Sequence, residues 1–167
     1  TSRAVRARRC GRAGRLISAC LQAQPRASAF WQGGVTIYSA KAAVALVPRE
    51  VLQQLGDARA NYSSAPSYVR SKRAFTSALA RHYRAAFGVD WVVAESGAAD
   101  AQALHPRLAG AGAFTVATVA GPGGAEVTRE YRADPGGTRE ENMWAFAEFA
   151  LQLLEECVAG APLPAKL

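Results

Sequence analysis

The chain has 167 residues, half of them apolar and a fifth charged, with a net charge of +7. That composition suits one globular domain with a core of its own and excludes a disordered chain. No apolar run approaches the roughly 20 residues that cross a bilayer, so no membrane partner is expected.

The charge is uneven. Seventeen arginines stand against three lysines, and no acid precedes Glu50. Arg3, Arg6, Arg8, Arg9, Arg12 and Arg15 crowd a start that reads as a loose basic tail over residues 1–11. The chain begins at Thr1, which reads as a processed product, a fragment or the remnant of an organelle leader. No nucleic-acid helix signature and no interleaved aromatic–basic pattern accompanies the arginines, so nucleic acid is not the expected partner. Cys10, Cys20 and Cys157 are odd in number, far apart and without a CxxC pair. They read as free thiols of a reducing compartment, cytoplasmic or organellar, with Cys20 and Cys157 as packing residues.

The predicted domain covers residues 12–158, with 159–167 as a tail. Arg15 to Gln24 reads as a helix with Leu16, Ile17, Cys20 and Leu21 on one face, stopped by Pro25. Gly33-Gly34 lets backbone pass where a Cβ would clash. Val35 to Tyr38 then reads as a strand. Ser39 caps a helix from Ala40 to Val47, with Val44 and Val47 inward. Pro48 opens a further helical turn carried by Val51, Leu52 and Leu55, ended by Gly56.

After a polar loop over 57–64, Pro66 opens the longest helix, to Phe87. Tyr68, Phe75, Leu79, Tyr83 and Ala86 recur at helical spacing and are expected inward. Arg70, Lys72, Arg73, Arg81 and Arg84 fall mostly on the other side, and Gly88 stops the helix. Asp90 to Ser96 reads as a buried strand, and Gly97 to Gly112 as a loop with at most a short helical piece. Ala113–Ala120 is a strand, Gly121–Gly124 a turn, and Glu126–Tyr131 its antiparallel hairpin partner with one wet face. Thr138 and Glu141 form a capping box. The last helix carries Met143, Phe146, Ala147, Ala150, Leu153 and Leu154 inward and ends near Val158. The fold class is α/β, a single domain with a small mixed sheet flanked by helices.

A strand whose end feeds a helix N-terminus is where open α/β sheets place ligands. Here that segment is Ala27-Ser28-Ala29-Phe30-Trp31, Gly34 and Val35-Thr36-Ile37-Tyr38-Ser39. It resembles the C-terminal domain of the competence-damage-inducible (CinA) family, in which an aromatic pair, a glycine and a strand ending in Tyr-Ser precede a lysine-bearing helix. The resemblance extends from about Gly11 to Leu154 and includes Asp90–Gly97 and the helix after Arg139. It implies hydrolysis of the amide of nicotinamide mononucleotide, giving nicotinic acid mononucleotide and ammonia. It also implies self-association, no cofactor, and substrate-binding roles for Tyr38, Ser39, Ser96, Gly97 and Arg139.

The family's nucleophile lies in a Glu-Ser-x-Thr-Gly-Gly motif. Counted back from Tyr38-Ser39, that motif falls on Cys10-Gly11-Arg12-Ala13-Gly14-Arg15, with Gly11 in the serine position. The family lysine falls on Ala43. Lys41 lies two residues earlier, about 160° away around a helix. A serine hydroxyl is weak without a nearby base, so the implied activity is weak or absent here. Ser39, Ser96 and Lys41 are the weak substitutes for the missing pair. Cys10, among arginines, is a further candidate nucleophile, with an unremarkable thiol as the plainer reading.

Other readings stand beside this one. One is an active deamidase with substituted residues or a different sequence before Leu16; the other is a basic RNA-associated protein. Ser96-Gly97 reads either as a pocket wall or as a simple strand-end turn, and Asp100 in the loop beyond it opposes anion binding there. Arg139 reads either as a phosphate ligand at a helix N-terminus or as an exposed first-turn arginine. Gly121–Gly124 lacks the Lys-Ser/Thr of a phosphate loop. His82 and His105 have no companions at ligand spacing, so no metal is expected.

Overall fold

The computed structural model describes residues 15–54, 56–102 and 104–160. The basic start, with Cys10 and Gly11, and the tail after 160 lie outside the described residues, as does Leu55. The elements in order are α1 (Arg15–Gln22), α2 (Ala40–Leu46), α3 (Arg49–Gln53), α4 (Ala58–Asn61), α5 (Ala65–Phe87), β1 (Val92–Ala98), β2 (Phe114–Ala120), β3 (Glu126–Arg132) and α6 (Arg139–Gly160). Short 3₁₀ turns cover Ala27–Ala29, Pro106–Ala111 and Pro122–Gly124.

Local chemistry ends most helices where the sequence places the stops. Ser39 caps α2 by accepting from Ala42 N at 3.1 Å. Ser64 caps α5 the same way toward Ser67 N, and Gly88 closes it at φ 61°. At α6, Thr138 N donates to Glu141 Oε2 at 2.8 Å and Glu141 N donates to Thr138 Oγ1 at 3.3 Å. This is the reciprocal capping box, and its hydrogen bonds hold the Glu141 carboxyl below its usual range.

The sheet has the order β1-β2-β3. Val92 pairs with Ala120 and Ala98 with Phe114 on one side of β2; Phe114 pairs with Arg132 and Ala120 with Glu126 on the other. Both pairings are antiparallel. The α/β single domain is therefore as expected, but among the described residues the sheet has no parallel member. The strand expected at Val35–Tyr38 is the reason. Residues 31–38 carry no strand, and no described backbone hydrogen bond ties them to β1. A strand exists only where a neighbour completes its ladder. Of that segment, Ile37 packs against the cluster of Val47, Val51, Ala78 and Leu79, while Tyr38 is 85% exposed. Gly34 does provide the close approach expected of it: a Cβ there would lie 2.5 Å from Ser18 Oγ and 3.0 Å from Trp31.

Two helical layers sandwich the sheet. Residues of α6 and α1 (Ala147, Ala150, Leu151, Leu153, Ile17, Cys20 and Leu21) cover the face carrying Ala117 and Val119. The other face, with Phe114 and Val116, takes Tyr68 and Val69 of α5. Covered on both faces, β2 is buried throughout. β3 keeps the expected wet face. Val47 and Val51 join Ala78 and Leu79, and Tyr83 Oη donates to Leu46 O at 2.8 Å.

Several inward expectations are corrected. Val44 is 74% exposed and Ala86 is exposed, because α2 packs through its C-terminal end and α5 overshoots the sheet. The loop expected from 57 contains α4, and β1 runs two residues past Ser96. Lys72, placed with the outward arginines by the sequence, lies instead on the inner stripe of α5 and is half-buried.

Candidate functional site

The elements converge at one end of the sheet. β1 ends at Ala98, β2 starts at Phe114, β3 ends at Arg132, and α6 starts at Arg139. Between them lies a cleft of about 360 Å³, lined by Asp100, Gln102, Gly112, Arg132, Gly137 and Asn142 among others.

Arg132 is held from three sides. Nε donates to Glu130 Oε1 at 2.7 Å, and Nη2 pairs with the same oxygen at 2.7 Å. Nη1 donates to the Ala111 carbonyl, and the guanidinium lies 5.4 Å from the centroid of the Phe114 ring. A guanidinium carries five N–H donors, so roughly two remain for a ligand. Asn142 is buried on the inner stripe of α6. Its Nδ2 donates to Ala99 O at 2.9 Å and to Gly137 O at 3.3 Å. The side chain thereby stitches the start of α6 to the residue that follows β1. Asp100 Oδ1 accepts from Gln102 N at 3.0 Å, shaping the loop that walls the cleft.

The sequence-derived candidates do not assemble into one site. Tyr38, Ser39 and Lys41 are exposed together at the start of α2. Ser39 Oγ is engaged as a cap, which is the structural role also expected of it. Ser96 is half-buried in β1, on the face toward α5 that it shares with Ala94 and Ala98. Gly97 is where β1 and β2 come closest: a Cβ there would overlap the Phe114 carbonyl and lie 2.6 Å from Thr115 Cα. Arg139 is exposed at the first residue of α6. No hydrogen bond among the described residues joins Tyr38, Ser39 or Lys41 to Ser96 or Arg139. His105 Nδ1 accepts from Arg107 N at 3.2 Å in a loop cap, and His82 stacks edge-on against Tyr83. Among the described residues no group of three metal-ligating side chains occurs.

The sequence reading missed Asn142, Arg132 and Glu95. Asn142 and Glu95 each carried a signal. Asn142 is four residues after the cap Thr138 and four before Phe146, a polar residue within an apolar stripe. Glu95 interrupts the apolar run Val92-Val93-Ala94. Its carboxylate accepts from Thr115 Oγ1. Burial pushes its pKa up, against the opposing pulls of the Thr115 hydrogen bond and the Lys72 charge.

A raised carboxyl pKa means that the folded state holds the proton more tightly than the unfolded one. The associated stability is full below the ordinary carboxylate range near 4.3 and falls as pH rises. Glu95→Gln keeps the shape and an acceptor for Thr115 but removes the buried charge. It is expected to raise Tm by more at pH 7 than at pH 4, because the penalty that burial puts on the ionised carboxyl is present only above the ordinary carboxylate range. Thermal melts at the two pH values check it; an equal shift at both would mean that charge burial is not the cause.

No helix among the described residues is long and apolar enough to cross a membrane. No curated protein matches the chain at a significant level. Solved structures do. Competence damage-inducible protein A from Klebsiella pneumoniae superposes with a TM-score of 0.63 at 24% identity, over 87% of this chain and 81% of that one. A competence or damage-inducible protein from Enterobacter asburiae gives 0.62 at 19% identity, over 85% and 79%. The competence/damage-inducible protein CihA from Agrobacterium tumefaciens gives 0.58 at 18%, over 87% and 79%. At such identities these likenesses establish the fold. The family model described as the CinA C-terminal domain matches residues 11–158, nearly the whole chain, and the chain belongs to that family.

Proposed function

We propose that this domain binds an anionic, nucleotide-like ligand, nicotinamide mononucleotide or a close relative, and hydrolyses its amide weakly or not at all. The observation that carries the reading is the convergence of Arg132, Asn142 and the N-terminus of α6 on one cleft. The positive end of the α6 dipole favours an anion, and the spare donors of Arg132 add charge-assisted hydrogen bonds that offset the Asp100 carboxylate in the same cleft. Hydrolysis lacks its machinery. Gly11 and Ala43 occupy the family's nucleophile and lysine positions, and neither residue can attack or accept a proton. Ser39 is spent as a helix cap, with Lys41 exposed beside it.

A free basic face for RNA is the weaker reading. Arg73 and Arg132 pair with Glu130, Arg81 with Glu126, and Arg129 with Glu156.

The test sets purified protein beside an active family member, both with nicotinamide mononucleotide, and measures ammonia release. The expected rate is about a thousand-fold lower or less, since a nucleophile and base that act as a unit are both missing. Calorimetry is expected to find binding, weakened about tenfold or more by Arg132→Ala, the loss of one charge-assisted contact. Turnover that disappears in Ser96→Ala would overturn the inactive half of the reading. Folded protein that shows no binding would overturn the other half.

A further inference from the structure

The buried amide of Asn142 is held by one end only. Asn142 lies in the first turn of α6 and is 4% exposed. Its Nδ2 faces two carbonyls, Ala99 O at 2.9 Å and Gly137 O at 3.3 Å. A carbonyl only accepts, so these two bonds fix which end of the amide is nitrogen and turn Oδ1 away from them. Among the described residues nothing donates to Oδ1. Nor does any described side-chain oxygen or nitrogen that is sealed from solvent lack a partner. Oδ1 therefore opens on the cleft that Asn142 lines. Gly137, in the same wall, leaves that opening clear: a Cβ there would lie 2.6 Å from Oδ1.

The cleft thus offers two kinds of contact. Arg132 brings a positive charge and the N–H donors left over from its bonds to Glu130 and the Ala111 carbonyl. Asn142 brings an acceptor whose direction is set before any ligand arrives. An acceptor that is almost buried and has no donor costs free energy until a ligand supplies the hydrogen. It suits a group with an N–H and opposes a group with lone pairs alone. A carboxamide presents both an N–H2 and a C=O, whereas a carboxylate presents only acceptors. Asp100 lines the same cleft, and its negative charge opposes a second carboxylate as well.

We infer that Asn142 is the residue that reads the carboxamide of the ligand: Oδ1 accepts from the amide N–H2 while Arg132 takes the anionic group. The inference rests on the nucleotide reading above and adds to it the form of the ligand that the cleft selects. The domain holds a pyridine nucleotide bearing a carboxamide in preference to the corresponding acid. The selection depends on one hydrogen atom and uses no step of hydrolysis, so it operates whether or not the amide is ever cleaved. A site built around a buried acceptor discriminates strongly against an analogue without the donor, because the acceptor is then left unpaired.

Calorimetry on the full chain compares three ligands of nearly one shape. They are nicotinamide mononucleotide, nicotinic acid mononucleotide, and the acetyl analogue in which a methyl group replaces the amide N–H2 with no change of charge. The amide is expected to bind about tenfold or more tighter than the acetyl analogue, the cost of leaving a buried acceptor without its donor. The acid is expected to be disfavoured at least as much. Asn142→Leu, shown to be folded by its thermal melt, is expected to bind the amide and the acetyl analogue alike. Gly137→Ala, which crowds Oδ1 and leaves the Asn142 side chain present, is expected to do the same and serves where Asn142→Leu does not fold. Amide binding no tighter than that of either analogue overturns the inference and leaves the nucleotide reading standing. A preference that survives in the folded variants also overturns it, because another group would then be its source. If none of the three ligands binds, the nucleotide reading falls, and this inference with it.

Discussion

Phe114→Ala is expected to lower the unfolding free energy by about 3–5 kcal/mol, the range for deleting a fully buried aromatic side chain. Phe114 has no exposed surface, and it starts the central strand β2. Its ring meets Tyr68 from α5 on the sheet face and carries the Arg132 guanidinium above it. The substitution therefore opens a cavity between sheet and helix and also removes a support of the cleft. Against a usual total of about 5–15 kcal/mol, a loss of this size leaves the domain marginal at body temperature. Leu153→Ala separates the two consequences. Leu153 is as deeply buried, but in the layer between α6 and the sheet, on the face opposite Phe114. Below their melting temperatures, Phe114→Ala is expected to lose affinity for the proposed nucleotide-like ligand and Leu153→Ala to keep it. Denaturant titration measures the stability loss and calorimetry the affinity. Equal affinity in both variants would show that the ring does not support Arg132.

Gly97→Ala is the second large effect. Here the obstacle is backbone: the added methyl would overlap the Phe114 carbonyl and lie 2.6 Å from Thr115 Cα. Neither group can rotate aside, because both belong to β2, which is bonded to a strand on each side. Overpacking in a filled core costs about 1–3 kcal/mol, and more where backbone must move. The strands would have to separate at the Gly97–Thr115 pair, pulling the Thr115 hydroxyl away from Glu95. The expected fall in Tm is about 4–10 °C. An unchanged melt would mean that β1 and β2 do not approach this closely. The result also bears on what Gly97 is for. Its place in the Ser-Gly pair at the end of β1 suggests a ligand contact, but close strand packing is reason enough for a glycine.

Helix boundaries and the hairpin were legible in the sequence because they depend on neighbouring residues. Ser39 and the Thr138–Glu141 pair satisfy N–H groups three residues away, and Gly88 adopts a left-handed φ that costs it nothing. The Pro122–Gly124 turn between two alternating runs joins β2 to β3 for the same local reason. The α/β class and the family resemblance followed from these elements in their order.

Tertiary structure decided the rest. Val35–Tyr38 has a strand's composition but no ladder, since a strand is completed by partners distant in sequence. Asn142 reaches Ala99 across 43 residues, and Thr115 reaches Glu95 across 20. Local pattern says nothing of such distances. A charged residue within a helical pattern reads as outward because water is its usual solvent. Lys72 departs from that because the stripe it shares with Tyr68 and Thr76 is the one the sheet covers. By itself the sequence established the main helices and the hairpin, and it carried the resemblance to the family. Only the packing of helices on both faces of the sheet determined which polar side chains face inward, because burial is a property of the assembled layers.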